Sequence, residues 1–345
     1  MPTACVLQSD CSVHLKSERL EVWRRDAASG AEEILREIPI RDTERLIIAE
    51  SVQITSHAMA ALLRSDIPVN VLAWNGQFLG GFLPATNAHG LARLRQYQRT
   101  LDPAYALQMA GRVVTAKLYN QRRVLQRLSA SRGEAEEPED EVKAAVKEAL
   151  TWLDTLFASI GRSQSVDELR GYEGAATARY FQAWATFLPP EFPFERRSSR
   201  PPLNPVNACI SFGATLLYHE AVAFIHSHGL DPSLGLLHAT EDGRWSLALD
   251  LIEPFRPALV ESLALDLFSH GMVNEGCFEP KNSGVYLNED GRRRFILQYE
   301  RRMERQFMSE CAGHRSSLRQ QLENQAVMYK AALEQPERFE PFLMN

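Results

Sequence analysis

Apolar positions along this chain change their period near residue 90. Before it, short apolar or alternating runs recur at Cys11–Leu15, Leu20–Trp23, Glu33–Ile40 and Arg45–Ile48. Glycine and charged residues separate them, which predicts strands. Ser51–Arg64 interrupts this pattern. Thr55 at a capping position, with Ala58, Leu62 and Leu63 on one side, predicts a helix. Ile67–Trp74 and Gln77–Phe82 are apolar runs joined by Asn75-Gly76. Both turn residues accept positive φ, so this is a hairpin signal.

From Arg93 onward the spacing is helical. Helices are predicted over Pro103–Leu128, Val142–Ile160, Gly171–Leu188, Pro205–His228, Pro254–Ser269, Asn288–Phe307 and Gln321–Gln335. Pro84, Asn87 and Gly90 punctuate residues 83–92. Strands followed by helices indicate an α+β class. The expected division is a small β-rich N-terminal domain (residues 1–86), a linker (87–96) and a larger all-helical catalytic domain (97–345).

Composition adds limits. Hydrophobic residues make up 45% and charged residues 24%, so the chain is globular. No apolar run reaches the roughly 18–20 residues of a membrane span, and the start MPTACVLQSD has no signal-peptide pattern. The five cysteines are odd in number and form no CxxC, which argues against a disulfide framework or a cysteine zinc site. Reduced thiols, a cytoplasmic location and no membrane partner are expected. The net charge of −6 weakly disfavours nucleic-acid binding, but six acids lie in one run: Glu134, Glu136, Glu137, Glu139, Asp140 and Glu141. Without that run, expected to be an exposed loop over Gly133–Glu141, the balance is neutral and local basic clusters remain.

Three segments carry candidate chemistry. In SLALDLIEPFRP (246–257), Asp250 and Glu253 are three apart, and Pro254 places a helix start near Glu253. A carboxylate pair, a helix N-terminus and Arg256 suit a metal, a phosphate or both. A capped helix with an internal Arg–carboxylate pair is the plainer alternative. Glu173, between Gly171 and Gly174, reads either as a ligand or as a first-turn helix acid. His238 follows Leu234–Leu237 after the intervening Gly235, and reads either as a ligand or as a core histidine. Mixed carboxylates and an imidazole suit Mg²⁺ or Mn²⁺. His219-Glu220 fails as HExxH because Ala223 stands fourth, and no GxxxxGK[ST], GxGxxG or GxSxG occurs. Arg196, Arg197 and Arg200 sit in a basic loop suited to phosphate contact or to solvation alone. Gly291–Arg305 is a basic helical stretch with Phe295 and Tyr299 interleaved, able to grip DNA backbone or to pair with Glu300 and Glu304.

Taken in order, GYEGAATARYF (171–181), RPPLNPVNACISFG (200–213), GLDPSLGLLH (229–238) and SLALDLIEPFRP resemble the marker segments of the CRISPR-associated protein one family, the integrases of spacer acquisition. Ile47–Ile54, Ile67–Leu72 and Asn75–Gly80 resemble its β-domain. The resemblance implies that Glu173, His238 and Glu253 are the catalytic metal ligands, with Asp250, Asn207 and Arg179 supporting or contacting DNA. Asn204 stands where the family usually has Asp, and still suits a helix cap. The acidic run is outside the family pattern, and the tail beyond about residue 310 matches weakly.

The implied activity is a metal-dependent endonuclease and integrase. A protospacer 3′-hydroxyl attacks a phosphodiester at the edge of a CRISPR repeat in double-stranded DNA. The implied partners are a second copy of the chain, joined through the β-domains, a small ferredoxin-like CRISPR adaptation subunit, and a CRISPR-associated exonuclease. Two alternatives stay open: a structure-specific nuclease on branched DNA, and a DNA-binding scaffold without catalysis.

Overall fold

The computed structural model describes residues 3–8, 10–25, 30–73, 78–85, 89–131, 139–309 and 314–344. The predicted turn Asn75-Gly76, Asn87 of the expected linker, and residues 133–138 of the acidic run lie outside them.

The N-terminal part holds two sheets. One is ordered β4 (Glu32–Pro39), β3 (Arg19–Arg25), β2 (Cys11–Lys16) and β6 (Gln53–Ile54). The other is ordered β1 (Thr3–Val6), β5 (Arg45–Ala49), β7 (Val69–Leu72) and β8 (Phe78–Phe82). In the second sheet β1, β5 and β7 run parallel, and β8 returns antiparallel to β7 as the hairpin signal predicts. Helix α1 (Ser56–Arg64) starts later than expected, because Gln53-Ile54 pairs with Ser12-Val13 of β2. Thr55 caps it, accepting from the Ala58 N–H at 3.3 Å.

The alternation along β5 explains how the two parts join. Leu46 and Ile48 enter the core of the β region, while Ile47 enters the core of the helical region. The strand is buried at every position, as expected where both sheet faces are covered. Leu72 and Phe78 also face the helical core. Residues 90–96 of the expected linker are instead the opening turns of α2 (Gly90–Thr100), which ties back through Gln96 to both backbone groups of Asp231 at 2.8 Å.

The second part contains α3 (Pro103–Ser131), α4 (Glu139–Ile160), α5 (Val166–Ala185), α6 (Pro205–Ser227), α7 (Ser246–Ile252) and α8 (Ser262–Ser269), then α9 (Glu289–Glu304) and α10 (Leu318–Ala332). Two short hairpins correct the all-helical expectation: β9 (Phe278–Lys281) with β10 (Gly284–Leu287), and β11 (Phe307–Ser309) with β12 (His314–Ser316). Asn282 and Ser283 both adopt positive φ and close the first hairpin in two residues. Glu139–Glu141, expected in a loop, open α4.

Helix α6 is the structural axis. By length and composition it could cross a membrane, contrary to the expectation that no such segment exists, but 72% of its apolar window is buried inside the protein. It packs against β8, β10, α7 and α10. Asn204 caps it as expected, accepting from the Asn207 N–H at 2.8 Å.

Candidate active site

The apolar stripe of α3, carried by Tyr105, Met109, Val113 and Val124, is interrupted by Lys117, Asn120 and Gln121, each at most 3% exposed. Burying an ammonium demands close partners. The Lys117 Nζ donates to Glu173 Oε1 of α5 and to Glu253 Oε2 just past α7. Two acids that are 80 residues apart in sequence thus converge on one cation.

Glu173 is not a first-turn acid. Helix α5 begins at Val166 with Ser165 as its cap, so Glu173 lies two turns inside. Its Oε1 also accepts from the Thr177 hydroxyl at 3.0 Å, and that hydroxyl accepts from Gln121 at 3.1 Å. The Glu173 side chain keeps 24% exposure against 4% for Glu253, which makes it the solvent-facing member.

Glu253 does not open a helix either. α7 ends at Ile252, and the chain passes through Glu253-Pro254 into a π-helical turn, Arg256–Glu261. Proline cannot supply the N–H that would continue α7. Glu253 is therefore neutralised by side chains rather than by a helix N-terminus: Lys117, and Arg256 donating to its Oε1 at 3.1 Å. Burial pushes the Glu253 carboxyl up, but the Lys117, Arg256 and His238 charges outweigh it and hold the pKa at about 2.

Asp250 faces elsewhere. Fully buried, its Oδ2 accepts from the Leu236 and Leu237 N–H groups at 2.6 and 3.1 Å. Its Oδ1 accepts from the His238 N–H at 3.0 Å and pairs with His238 Nδ1 at 2.7 Å. Asp250 and Glu253 are thus not a joint pair: one fixes the loop and the histidine, the other faces the lysine. Burial lowers the His238 pKa, but the hydrogen bond and charge of Asp250, with the charge of Glu253, raise it overall. Gly235 is essential to this packing. A Cβ there would lie 2.2 Å from the His238 carbonyl oxygen and 2.6 Å from Ser246 Cβ.

The donor set suits a hard divalent cation: two carboxylates, plus an imidazole whose Nδ1 is tied to a carboxylate, the usual support of a ligating histidine. Among the described residues no three His, Cys, Asp or Glu side chains are gathered tightly enough to grip an ion. Glu173 and Glu253 meet through Lys117, and His238 is close enough for its charge to interact with Glu253.

The basic loop comes near this centre at Arg197, which feels the charge of Arg256. Arg196 and Arg200 are exposed, whereas Arg197 turns inward and donates to Asn207 Oδ1 at 2.9 Å and Ser211 at 3.0 Å. Burial, and then the nearby charge of Arg256, lower the Arg197 pKa to about 10. Asn207 organises the loop, accepting from Ser198 N–H and donating to the Arg196 carbonyl, both at 2.9 Å. Arg179 is not drawn in: its guanidinium lies over the Trp152 ring at 5.1 Å and meets Glu148 at 3.4 Å.

On α9, Phe295 and Tyr299 are core residues rather than stacking platforms, and Glu300 and Glu304 reach Arg319. His219 is buried, with its pKa pushed down to about 4, and Glu220 pairs with Arg319.

Sequence reasoning did not single out Lys117, Asn120, Gln121 or Thr177. The available signal was polar residues at i, i+3 and i+4 within the apolar stripe of α3, positions that must satisfy buried groups.

A sequence model of the family described as CRISPR associated protein Cas1 matches residues 4–301, so the match stops before α10 and the C-terminal tail. CRISPR-associated endonuclease Cas1 3 of Thermus thermophilus is 30% identical over 341 residues, covering 99% of this chain and 96% of that protein. A CRISPR-associated exonuclease Cas4/endonuclease Cas1 fusion of Geobacter sulfurreducens is 34% identical over 84% of this chain. The match covers 52% of the fusion, so the chain spans about half its length. Among solved structures, a chain of a partial Cas6-RT-Cas1–Cas2 complex superposes with a TM-score of 0.77 at 25% identity, covering all of both chains.

Proposed function

The chain belongs to the CRISPR associated protein Cas1 family, and we propose that it is a divalent-metal-dependent DNA endonuclease and integrase that joins a DNA 3′-hydroxyl to a repeat-edge phosphodiester by transesterification. The observation that carries this reading is the convergence of Glu173 and Glu253 on one buried positive charge beside an Asp250-oriented His238. Glu173, Glu253 and the Nε2 of His238 would hold Mg²⁺ or Mn²⁺. Such an ion supplies charge neutralisation at the scissile phosphate and assists departure of the leaving oxygen.

The chain's own groups do the rest. Asp250 fixes the tautomer and tilt of His238 through Nδ1. Arg256 and Lys117 keep Glu253 ionised. Exposed Arg196 and Arg200, on the loop that Asn207 shapes, supply sequence-independent grip on the DNA backbone. Transesterification exchanges one phosphodiester for another and needs no nucleotide cofactor, in keeping with a chain that has no phosphate-binding glycine motif.

A homodimer through the β-domains, a small ferredoxin-like subunit and an exonuclease partner complete the reading, with the cytoplasm as its place of action. The Cas1–Cas2 complex of one relative supports a CRISPR protein partner, and the Cas4 fusion of another supports the exonuclease partner. The relatives named endonucleases favour strand cleavage by water as the second reading.

The test is strand transfer on a labelled branched DNA with Mn²⁺ or EDTA, comparing the natural chain with His238→Ala. The expected result is a joined product that needs both metal and His238, with the variant slowed about 1,000-fold or more, the equivalent of roughly 4 kcal/mol. Shortened strands without joining select the nuclease. DNA binding without any product sinks both readings.

A further inference from the structure

The C-terminal tail ends against the back of the site, and one buried side chain links the two. Asn120 is fully buried, and its amide is used on both sides. Its Nδ2 donates to the Pro254 carbonyl at 2.7 Å and to the Phe342 carbonyl at 2.9 Å, and its Oδ1 accepts from the Met344 N–H at 2.7 Å. The Phe342 ring stacks on Phe255 with centroids 4.5 Å apart and planes 13° from parallel. Both chain residues that follow Glu253 are thus held from the far side by the tail or by its Asn120 anchor.

The rest of the tail is tied to α3 and to α10. Arg112, about two turns before Asn120 on α3, donates to the Pro336 and Phe339 carbonyls, both at 2.8 Å. Gln325 of α10 donates to the Glu340 carbonyl at 3.3 Å. Phe339 packs edge-on to Tyr329 at 6.1 Å and is 1% exposed. These contacts read the tail mostly by its backbone, with Phe339 and Phe342 as the side-chain anchors.

Glu253 needs such a brace. It lies in a turn, where Pro254 has removed a helical hydrogen bond, rather than inside a helix. Its own N–H reaches only the Asp250 carbonyl, at 3.3 Å. A ligand on a turn holds its geometry only as well as the groups behind it.

We infer that the tail segment Pro336–Met344 and Asn120 form a positioning device for Glu253: the tail clamps Pro254-Phe255 against α3 and thereby fixes the carboxylate for cation binding. The cation-binding half of this inference rests on the proposed metal-dependent reading. The mechanical half does not.

The experiment compares the full chain with a chain ending after Arg338 and with full-length Phe342→Ala. It measures amide hydrogen exchange over residues 251–256 and Mn²⁺ binding by calorimetry, with a synthetic peptide of residues 339–345 added back to the shortened chain. Faster exchange confined to 251–256, and Mn²⁺ affinity weakened about 10- to 100-fold, are expected, the usual effect of removing a ligand's outer support. The added peptide should restore both. Unchanged exchange and unchanged affinity in the shortened chain overturn the inference. If the shortened chain loses global protection, Phe342→Ala decides by the same two measurements. If the full chain binds no Mn²⁺, the metal-dependent reading fails, and exchange at 251–256 alone judges the clamp.

Discussion

Two buried charge clusters sit in the helical half of this protein, and their charge counts differ. At the candidate site two cations, Lys117 and Arg256, face Glu173 and Glu253, and a third acid, the fully buried Glu261, is raised by burial despite the Arg256 and Lys117 charges. Beneath α9, the guanidinium of Arg319 alone takes Glu220 at 3.1 Å, Glu300 at 2.9 Å and also Glu304. The first balance holds Glu253 at about 2. In the second, burial and then the crowding of acids outweigh Arg319, and Glu300 is raised. The cation type differs too. The second cluster has a guanidinium alone, a rigid fork that keeps its proton, whereas the first adds to the Arg256 guanidinium the Lys117 ammonium, a compact point charge on a flexible stem. Burial of charge therefore does not by itself mark a working site. A pair of acids meeting on one ammonium, with one exposed edge at Glu173 and an oriented imidazole beside it, is what sets the first cluster apart.

Arg319→Met should break the second cluster most. It strands buried carboxylates and should cost about 3–5 kcal/mol in urea unfolding. On the proposed reading, DNA joining by the remaining folded protein should keep its metal requirement. A shifted metal requirement would erase the distinction between the clusters.

Lys117→Met is the sharper probe. Arg256 still covers Glu253, so the expected loss is smaller, about 2 kcal/mol. Added Mn²⁺ should return part of it, raising the variant's melting temperature more than that of the natural chain. Equal Mn²⁺ shifts in both proteins would remove the case that the lysine and a metal ion meet the same need.

The smallest change at neutral pH belongs to Glu300, and pH profiles separate it from Glu253. Glu253 has a folded pKa below the ordinary 4.5, so its stabilisation is present above that value and lost as pH falls toward about 2. Glu300 has a raised folded pKa, so its contribution is full below the ordinary carboxylate value and lost as pH rises through the folded one. Glu253→Gln should flatten the acid limb of a stability–pH curve. Glu300→Gln should change stability at pH 7 by under about 1 kcal/mol, and not unfavourably. A destabilised Glu300→Gln chain at pH 7 would show that the two clusters share one electrostatic logic after all.

Much of the architecture was legible in the sequence because its periods are strong. The β-to-helix change near residue 90, the Thr55 and Asn204 caps, and the β7–β8 pairing follow from local pattern alone. The β9–β10 hairpin was missed because Asn282-Ser283 is a weaker turn signal than Asn-Gly, though it fills the same positive-φ role.

For the candidate site, the residues that the fold brings near one another were legible, but not how each is held. Glu173 looked like a helix-start acid because its flanking glycines resemble a boundary, while the true cap, Ser165, lies eight residues earlier. Asp250 and Glu253 looked like a shared face because their spacing is three. The proline between the helical segments turns Glu253 toward Lys117 and leaves Asp250 to three backbone N–H groups and His238. Pairings across 56 and 136 residues, such as those of Lys117, have no local period to announce them.

Helix α6 has a consequence for how the chain is made. It carries the one candidate span among the described residues, yet apart from β8 and Arg45 of β5, its chief coverings come later in synthesis: α7, α8, β10, α9 and α10. While those segments are still unmade, the emerging chain carries a bare apolar rod of 23 residues. The centre of the finished protein is thus the point at which the growing polypeptide most needs shelter, from its own later helices or from a chaperone.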